Sequence, residues 1–345
     1  NKVVMLRHEL TAQTKPRYEY SFIGAIAIHQ ELSRGTQQNS LPSLSTINRI
    51  LKKHGLTEKK HKSLLPRQEK FYPVIASRYP NHRHELDLVT PRYISGYGKI
   101  ISVNRIDAFT HHAHIGIDTA KGADNVIHFL VDDWKCFGMP KYLQLDNEAA
   151  FRGGMYHARS FGKLIRFCLN FGVQMIFIPW KEPWRNPYIE NFNGSFNRLL
   201  WCKKKFDHPD HLKGEARRFL AKHNQYQTYK QETFSNKTFR SHTKRFLPPE
   251  FKFDVSIELP ITKGRLHFIR FVEDNGSVEV LNEKIVIGRA FACEYVWITI
   301  DTENQKLCVY HQVAADQKRQ LVKEQDYQLR EPVSDRIPII NFCHV

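Results

Sequence analysis

The chain has 345 residues, 41% of them hydrophobic, with 52 Lys and Arg against 35 Asp and Glu, a formal charge of +17. That length carries two or three domains rather than one, and a globular chain this basic usually meets a polyanion. Its six cysteines are scattered and form no Cys-x-x-Cys pair, which argues against a structural zinc site or a small disulfide scaffold and for a reducing compartment; no apolar run of about 18 residues offers a membrane span, and no signal peptide is visible.

Residues 1–57 read as helical. Ser43 can cap a helix that Gly55 ends, with Leu44, Ile47, Ile50 and Leu51 on one face. An earlier helix surrounds Ile23–Leu32. Two short helices, the second bearing Arg49, Lys52 and Lys53, fit a helix-turn-helix DNA-binding domain or a plain helical hairpin. Residues 58–80 are a basic linker, and its Lys59 and Lys60 suit a DNA backbone.

From there the pattern turns to strands. His84–Thr90, Ile100–Ile106 and His112–Ile117 come first, then a helix marked by Ala123, Val126, Ile127, Leu130, Val131 and Trp134. Tyr142–Leu145 reads as a strand ending at Asp146. A helix near Phe161–Phe171 leads to the strand Val173–Ile178, and helices follow over about Pro187–Lys204 and Leu212–Tyr226. The order β-β-β-α-β-α-β-α-α over residues 81–230 predicts a mixed sheet flanked by helices. A second linker covers 231–258. Five short strands between 259 and 312, separated by turns at Asp274–Gly276, Asn282 and Asp301–Asn304, suggest a small β-barrel. An extended tail of residues 313–345 closes the chain.

Three acids on core-type elements stand out. Asp87 sits in an otherwise apolar strand. Asp146 ends a strand, where α/β sheets commonly place ligands. Glu190 lies in the first turn of a helix whose Ile189, Phe192, Phe196 and Leu200 bury one side, while Glu190, Asn193, Gly194 and Asn197 form a polar stripe. A mid-helix Gly costs about 1 kcal/mol against Ala, so a close backbone approach is expected at Gly194. Any one such acid is ordinarily a cap or a surface charge. Converging carboxylates, however, are what two Mg²⁺ ions about 3.5–4 Å apart need for phosphodiester chemistry. Asp107 and Asp118, near strand ends, read as structural, and Glu182 as a surface charge. His112 and His114 share a strand face but lack a third metal ligand.

Together these residues carry a pattern. Glu85-Leu86-Asp87-Leu88-Val89-Thr90 is similar to the first catalytic strand of the integrase-core transposases of bacterial insertion sequences, relatives of retroviral integrases. Ser102–Thr110 resembles their second strand, Leu145-Asp146-Asn147-Glu148-Ala149-Ala150-Phe151 their Asp-Asn-Gly-x-x-Phe segment, and Tyr188-Ile189-Glu190-Asn191-Phe192-Asn193 their glutamate helix. The chain departs from the family at Glu148, where Gly is usual, at Asn186-Pro187 and at Asn191. Its spacing from Asp146 to Glu190 is also longer than usual, with the extra length expected near Arg152–Ser160.

The resemblance covers roughly residues 15–230 and implies an RNase H-like core. It implies a DDE transposase that cleaves transposon ends to a 3′-OH and joins them to target DNA. Asp87, Asp146 and Glu190 would serve as the catalytic acids and hold two Mg²⁺, with Mn²⁺ able to substitute. It also implies double-stranded DNA, both transposon ends and target, as partner, a dimer or tetramer on that DNA, no membrane, and a bacterial cytoplasm. Trp184, Arg185, Asn193, Asn197 and Arg198 join Arg49, Lys52, Lys53, Lys59 and Lys60 as candidate DNA contacts. A domesticated derivative that binds without cutting, and an RNase H-like nuclease without strand transfer, are the alternatives.

Overall fold

The structure is a computed structural model that describes residues 2–35, 41–57, 70–153, 157–235 and 243–337. In chain order its first helices are α1 (Lys2–Ala12), α2 (Ala25–Ser33) and α3 (Leu44–Lys53). The strands β1 (Arg83–Ile94), β2 (Gly98–Asp107) and β3 (Ala113–Asp118) follow, then α4 (Ala123–Cys136), β4 (Tyr142–Leu145), α5 (Ala149–Arg152), α6 (Lys163–Asn170) and β5 (Gln174–Phe177). Helix α7 (Pro187–Phe196) runs into a π-helical turn over Asn197–Trp201, and α8 covers Pro209–Phe234. The remaining strands are β6 (Ile261–Thr262), β7 (Arg265–Phe271), β8 (Ser277–Val280), β9 (Glu283–Val286), β10 (Tyr295–Asp301), β11 (Lys306–His311), β12 (Gln320–Asp326) and β13 (Val333–Ser334). Among the described residues no helix is long and apolar enough to cross a membrane.

The chain forms two compact units. One takes in Asn1–Arg67, Thr110–Ala113 and Gly194–Phe239. Its three N-terminal helices share a small core of Val3, Leu6, Leu10, Ala27, Ile28, Leu32, Ile47 and Leu51. The expected start and stop of α3 are in place: the Ser43 hydroxyl accepts the Thr46 N–H at 3.2 Å, and Gly55 takes a left-handed φ of 67°. The long helix α8 packs Phe219 on Tyr20 and Phe196, and a buried Glu215 accepts from Tyr20 and pairs with Lys204 and Arg218. It extends past the expected Tyr226 because Tyr229 and Phe234 still find a partner in His29.

The other unit takes in Gln68–Phe109, His114–Asn193 and Arg240–Val345. Its architecture is mixed α/β around one large mixed sheet, of order β12-β11-β10-β7-β5-β4-β1-β2-β3. β1 and β2 are antiparallel with Asp87 opposite Asn104, while β1, β4, β5 and β7 run parallel. The main core fills one face, where Leu86, Leu143, Leu145, Phe177 and Phe268 meet Trp134 and Phe167, whose rings stack at 5.3 Å.

The expected small barrel is corrected here. β7 pairs with β5, and β10, β11 and β12 extend the same sheet outward, the last of them taken from the stretch expected as a tail; β8 and β9 form a separate hairpin, and β6 pairs with β13. The physical reason is the edge of β5. An unpaired parallel strand in a hydrophobic sheet needs a partner, and β7 supplies one while its Leu266 and Phe268 join the core. Close approach at Gly194 is also not found, since a Cβ there would meet nothing within 4 Å. It occurs instead around the long Asp146–Glu190 connection. Gly153, with φ of 73°, and Gly162 press so closely that a Cβ on Gly153 would lie 2.2 Å from the Gly162 Cα.

Candidate carboxylate site

Asp87, Asp146 and Glu190 all belong to the sheet-containing unit. The two-residue period of β1 sets Arg83, Glu85 and Asp87 on one face. Asp146 follows the last residue of β4, and Glu190 stands in the first turn of α7. Asp87 and Asp146 are partly buried, and Glu190 is the most exposed of the three.

The acids act on one another. Burial, then the charges of Glu190 and Glu148, push the Asp87 carboxyl up to about 6. Burial, then Glu148 and Asp87, push Asp146 up to about 6 as well, against the Glu148 N–H that donates to its Oδ1 at 3.0 Å. Glu190 is raised by burial and by Asp146. Four carboxylates thus share one field, and Lys121, paired with Glu148, offsets part of it at Asp146.

Neutral side chains aim the acids. Asn193 on α7 donates to Asp87 Oδ2 at 2.7 Å and accepts from Asn104 of β2 at 2.7 Å. Beneath α7, the buried Glu85 accepts the N–H groups of Tyr188 and Ile189 at 2.9 and 3.0 Å, and so holds two of the four N–H donors that a helix start leaves open. Burial raises Glu85 to about 7, with Arg83 at 3.4 Å and the two N–H groups opposing. Arg83 donates to Gln144 of β4 at 2.6 Å, and Gln144 donates to Asn186 Oδ1 at 2.7 Å and to the Arg185 carbonyl at 3.0 Å. The start of the helix that carries Glu190 is therefore tied to both β1 and β4.

The donors are all carboxylate oxygens, crowded and mutually repelling, and this set suits a hard divalent cation. As the side chains stand, no three His, Cys, Asp or Glu residues among the described ones close around a single ion.

The other expected site residues are placed as follows. Trp184 is exposed, as is Trp180, over which Arg152 lies at 4.8 Å. Arg185 is engaged within the protein: it bonds Glu182 at 3.0 Å and Tyr295 at 3.1 Å and lies over Tyr72 at 4.2 Å. Glu182, expected at the surface, also accepts from Tyr295. The Asn193 amide is occupied by Asp87 and Asn104. In the helical unit, Arg49, Lys52, Lys53 and Arg198 are exposed and Asn197 half-buried. Lys59 and Lys60 lie outside the described residues. Asp107 takes the N–H groups of Asn81 and Phe109, the structural part expected of it, and Asp118 likewise bonds the Thr119 N–H at 2.6 Å. His114 bonds Asp133 and stacks on Phe129. Glu85, Asn104 and Gln144 went unnoticed in the sequence. The period of β1, which aligns Glu85 with Asp87, is the signal that could have found the first.

No family model matches the chain, and no curated protein matches it. Among solved structures, the HTLV-2 integrase catalytic core domain in complex with magnesium overlaps 41% of this chain and 85% of its own in the dimeric form, at 18% identity and a TM-score of 0.31. The trimeric form gives 41%, 84%, 18% and 0.32. The simian T-cell lymphotropic virus intasome in complex with PP2A regulatory subunit B56 gamma overlaps 89% of this chain and 97% of its own, at 12% identity and a TM-score of 0.36. These neighbours are viral integrases rather than bacterial transposases, and at these scores they assign this chain neither a family nor an activity.

Proposed function

We propose that this chain is a DDE-type polynucleotidyl transferase, a DNA transposase or integrase, with Asp87, Asp146 and Glu190 as its catalytic acids. The observation that carries this reading is the placement of Asp87 on β1, Asp146 at the end of the adjacent parallel β4 and Glu190 in the first turn of α7, whose start is tied to both strands, in a chain of charge +17. Repelling carboxylates in a basic protein call for a cation, and the three acids would hold Mg²⁺, or Mn²⁺ in its place. Bound there, such ions supply an activated nucleophile and stabilise the leaving oxygen of an in-line displacement.

The chain's own residues prepare that site. Asn193, steadied by Asn104, fixes the orientation of Asp87. Glu85 and Gln144 fix the start of α7, the turn that carries Glu190. Trp184 offers an exposed ring on which an unpaired base near a cut can stack. Arg49, Lys52 and Lys53 give α3 an exposed basic side for phosphates, in keeping with a helix-turn-helix that recognises transposon ends. Joining two ends needs more than one copy, so the working form is a dimer or tetramer on DNA.

The test uses labelled duplexes from the ends of the element that encodes the chain, with Mg²⁺. Wild type yields nicked ends with a 3′-OH and then a joined product. Asp87→Asn, Asp146→Asn and Glu190→Gln each lose both products yet still shift the duplex in a gel. Joined product from Asp87→Asn at the wild-type rate refutes the assignment, and cleavage without any joined product makes the chain a nuclease.

A further inference from the structure

β7 alternates between two faces. Leu266 and Phe268 point into the main core, and Arg270 is next in the same row, where the pattern calls for an apolar residue. It is 3% exposed. A guanidinium at such depth is ordinarily paired with a carboxylate, but Arg270 has only neutral acceptors among the described residues. Its Nε donates to the Glu279 carbonyl at 2.9 Å, and its Nη1 to the carbonyls of Ile178 and Ile269 at 2.9 Å and of Phe177 at 3.3 Å. Its Nη2 donates to Asn147 Oδ1 at 2.7 Å. Burial draws the guanidinium pKa down. An arrangement with so large a desolvation penalty must secure something that Leu or Met at the same position could not.

What it secures is Asn147, the residue after Asp146. The buried Asn147 amide is held at both ends, its Oδ1 by Arg270 and its Nδ2 by the Ile178 carbonyl at 2.7 Å, which Arg270 also grips. The ends of β4 and β5 are thereby locked together next to Asp146, whose Oδ1 takes the Glu148 N–H one residue further on. We propose that Arg270 is a positioning residue for the carboxylate site, fixing the Asp146–Glu148 turn through Asn147 so that Asp146 can ligate a cation; this rests on the reading of Asp146 as a cation ligand given above.

The experiment titrates Ca²⁺ into the full chain without DNA by calorimetry, alongside thermal unfolding and Mg²⁺-dependent cleavage. The variants are Arg270→Met, Arg270→Lys, Asn147→Ala, the Arg270→Met/Asn147→Ala pair and Asp87→Asn. Groups that orient metal ligands typically change affinity by ~10–100-fold. Arg270→Met and Asn147→Ala are each expected to weaken Ca²⁺ binding by roughly that factor, and the double variant is expected to be no weaker than the worse single, because both break one link. Arg270→Lys keeps the charge but not the fork, and is expected to stay within a few-fold of Arg270→Met. Cleavage falls in kcat, with KM for DNA unchanged.

Wild-type Ca²⁺ affinity in Asn147→Ala, or losses that add in the double variant, overturns the proposal. Should Arg270→Met fail to fold, Asn147→Ala decides alone, since it leaves the four carbonyl acceptors of Arg270 in place. If Asp87→Asn loses Ca²⁺ binding while Asn147→Ala keeps it, Arg270 is not a positioning residue and the carboxylate site stands. If Asp87→Asn itself binds as wild type, the carboxylate site falls and this inference with it.

Discussion

Replacing Asp87 with Asn should make the metal-free protein more stable, and only above acidic pH. The Asp87 carboxyl titrates at about 6 in the fold against an ordinary 3.8. A raised acid pKa means that the native state binds the proton more tightly than the unfolded chain does, so stability falls as pH rises through that interval. The penalty is absent below about pH 4 and fully present above about pH 6, and at ~1.4 kcal/mol per unit it comes to about 3 kcal/mol. Asp146 is raised to a similar degree, in part by the charge of Asp87, so removing one charge relieves the other too. The hydrogen bond from Asn193 survives, because an amide oxygen can accept it.

A net gain of about 1–3 kcal/mol remains, which raises Tm by roughly 2–4 °C per kcal/mol for a unit of this size. The assay is thermal unfolding of wild type and Asp87→Asn in EDTA from about pH 4 to 8, the window set by the two titrations. The curves should coincide at the acid end and separate toward neutrality, with the variant more stable. Added Mg²⁺ should reverse that order, since it stabilises only the protein that binds it. Equal Tm values near neutrality, or a gap that does not change with pH, would refute the reasoning.

Other outcomes follow from the same geometry. Glu85→Ala strips the acceptor from the Tyr188 and Ile189 N–H groups and should lower stability by about 1–3 kcal/mol in urea unfolding, with a loss of cleavage. Glu85→Gln keeps an acceptor and should lose less of both, and a Gln variant as damaged as Ala would point to the charge instead. Trp184→Ala should weaken binding to single-stranded DNA, by ~1–3 kcal/mol if one base stacks there, and leave Tm unchanged because the ring is 57% exposed; unaltered affinity in fluorescence anisotropy removes Trp184 from the interface.

Much of the core could be read from the chain alone because its signals are local. Ser43 and Gly55 mark α3 by cap chemistry, and Leu44, Ile47, Ile50 and Leu51 by helical period. Asp87 and Asp146 stand out because carboxylates at or within apolar strands are rare enough to notice. The long-range bonds around them are a different matter. Glu85 meets Tyr188 and Ile189 some hundred positions later, Gln144 meets Asn186, and Arg270 meets Asn147. Each of these is an ordinary polar residue until a long-range fold supplies its neighbour. The C-terminal strands failed for the same reason. Short alternating segments with tight turns describe a barrel as well as a sheet extension, and only the vacant edge of β5 distinguishes them. Arg185 shows the same limit, because its bonds to Glu182 and to Tyr295, a residue 110 positions away, could not be read from the loop that carries it.

The parallel pairing of β5 with β7 bears on how the protein is made. Met175 lies beside Leu266, 266 − 175 = 91 positions later in the chain. During synthesis β5 emerges long before the strand that covers it, and its hydrogen-bonding edge stays open through that interval, when self-association with a second nascent chain competes most strongly. The clasp on Asn147 closes later still, after residue 270 has left the ribosome. On the function proposed above, competence for chemistry is thereby deferred until most of the polypeptide exists, and a message or a protein broken off before β7 yields a chain that carries all three acids without the strand that covers β5.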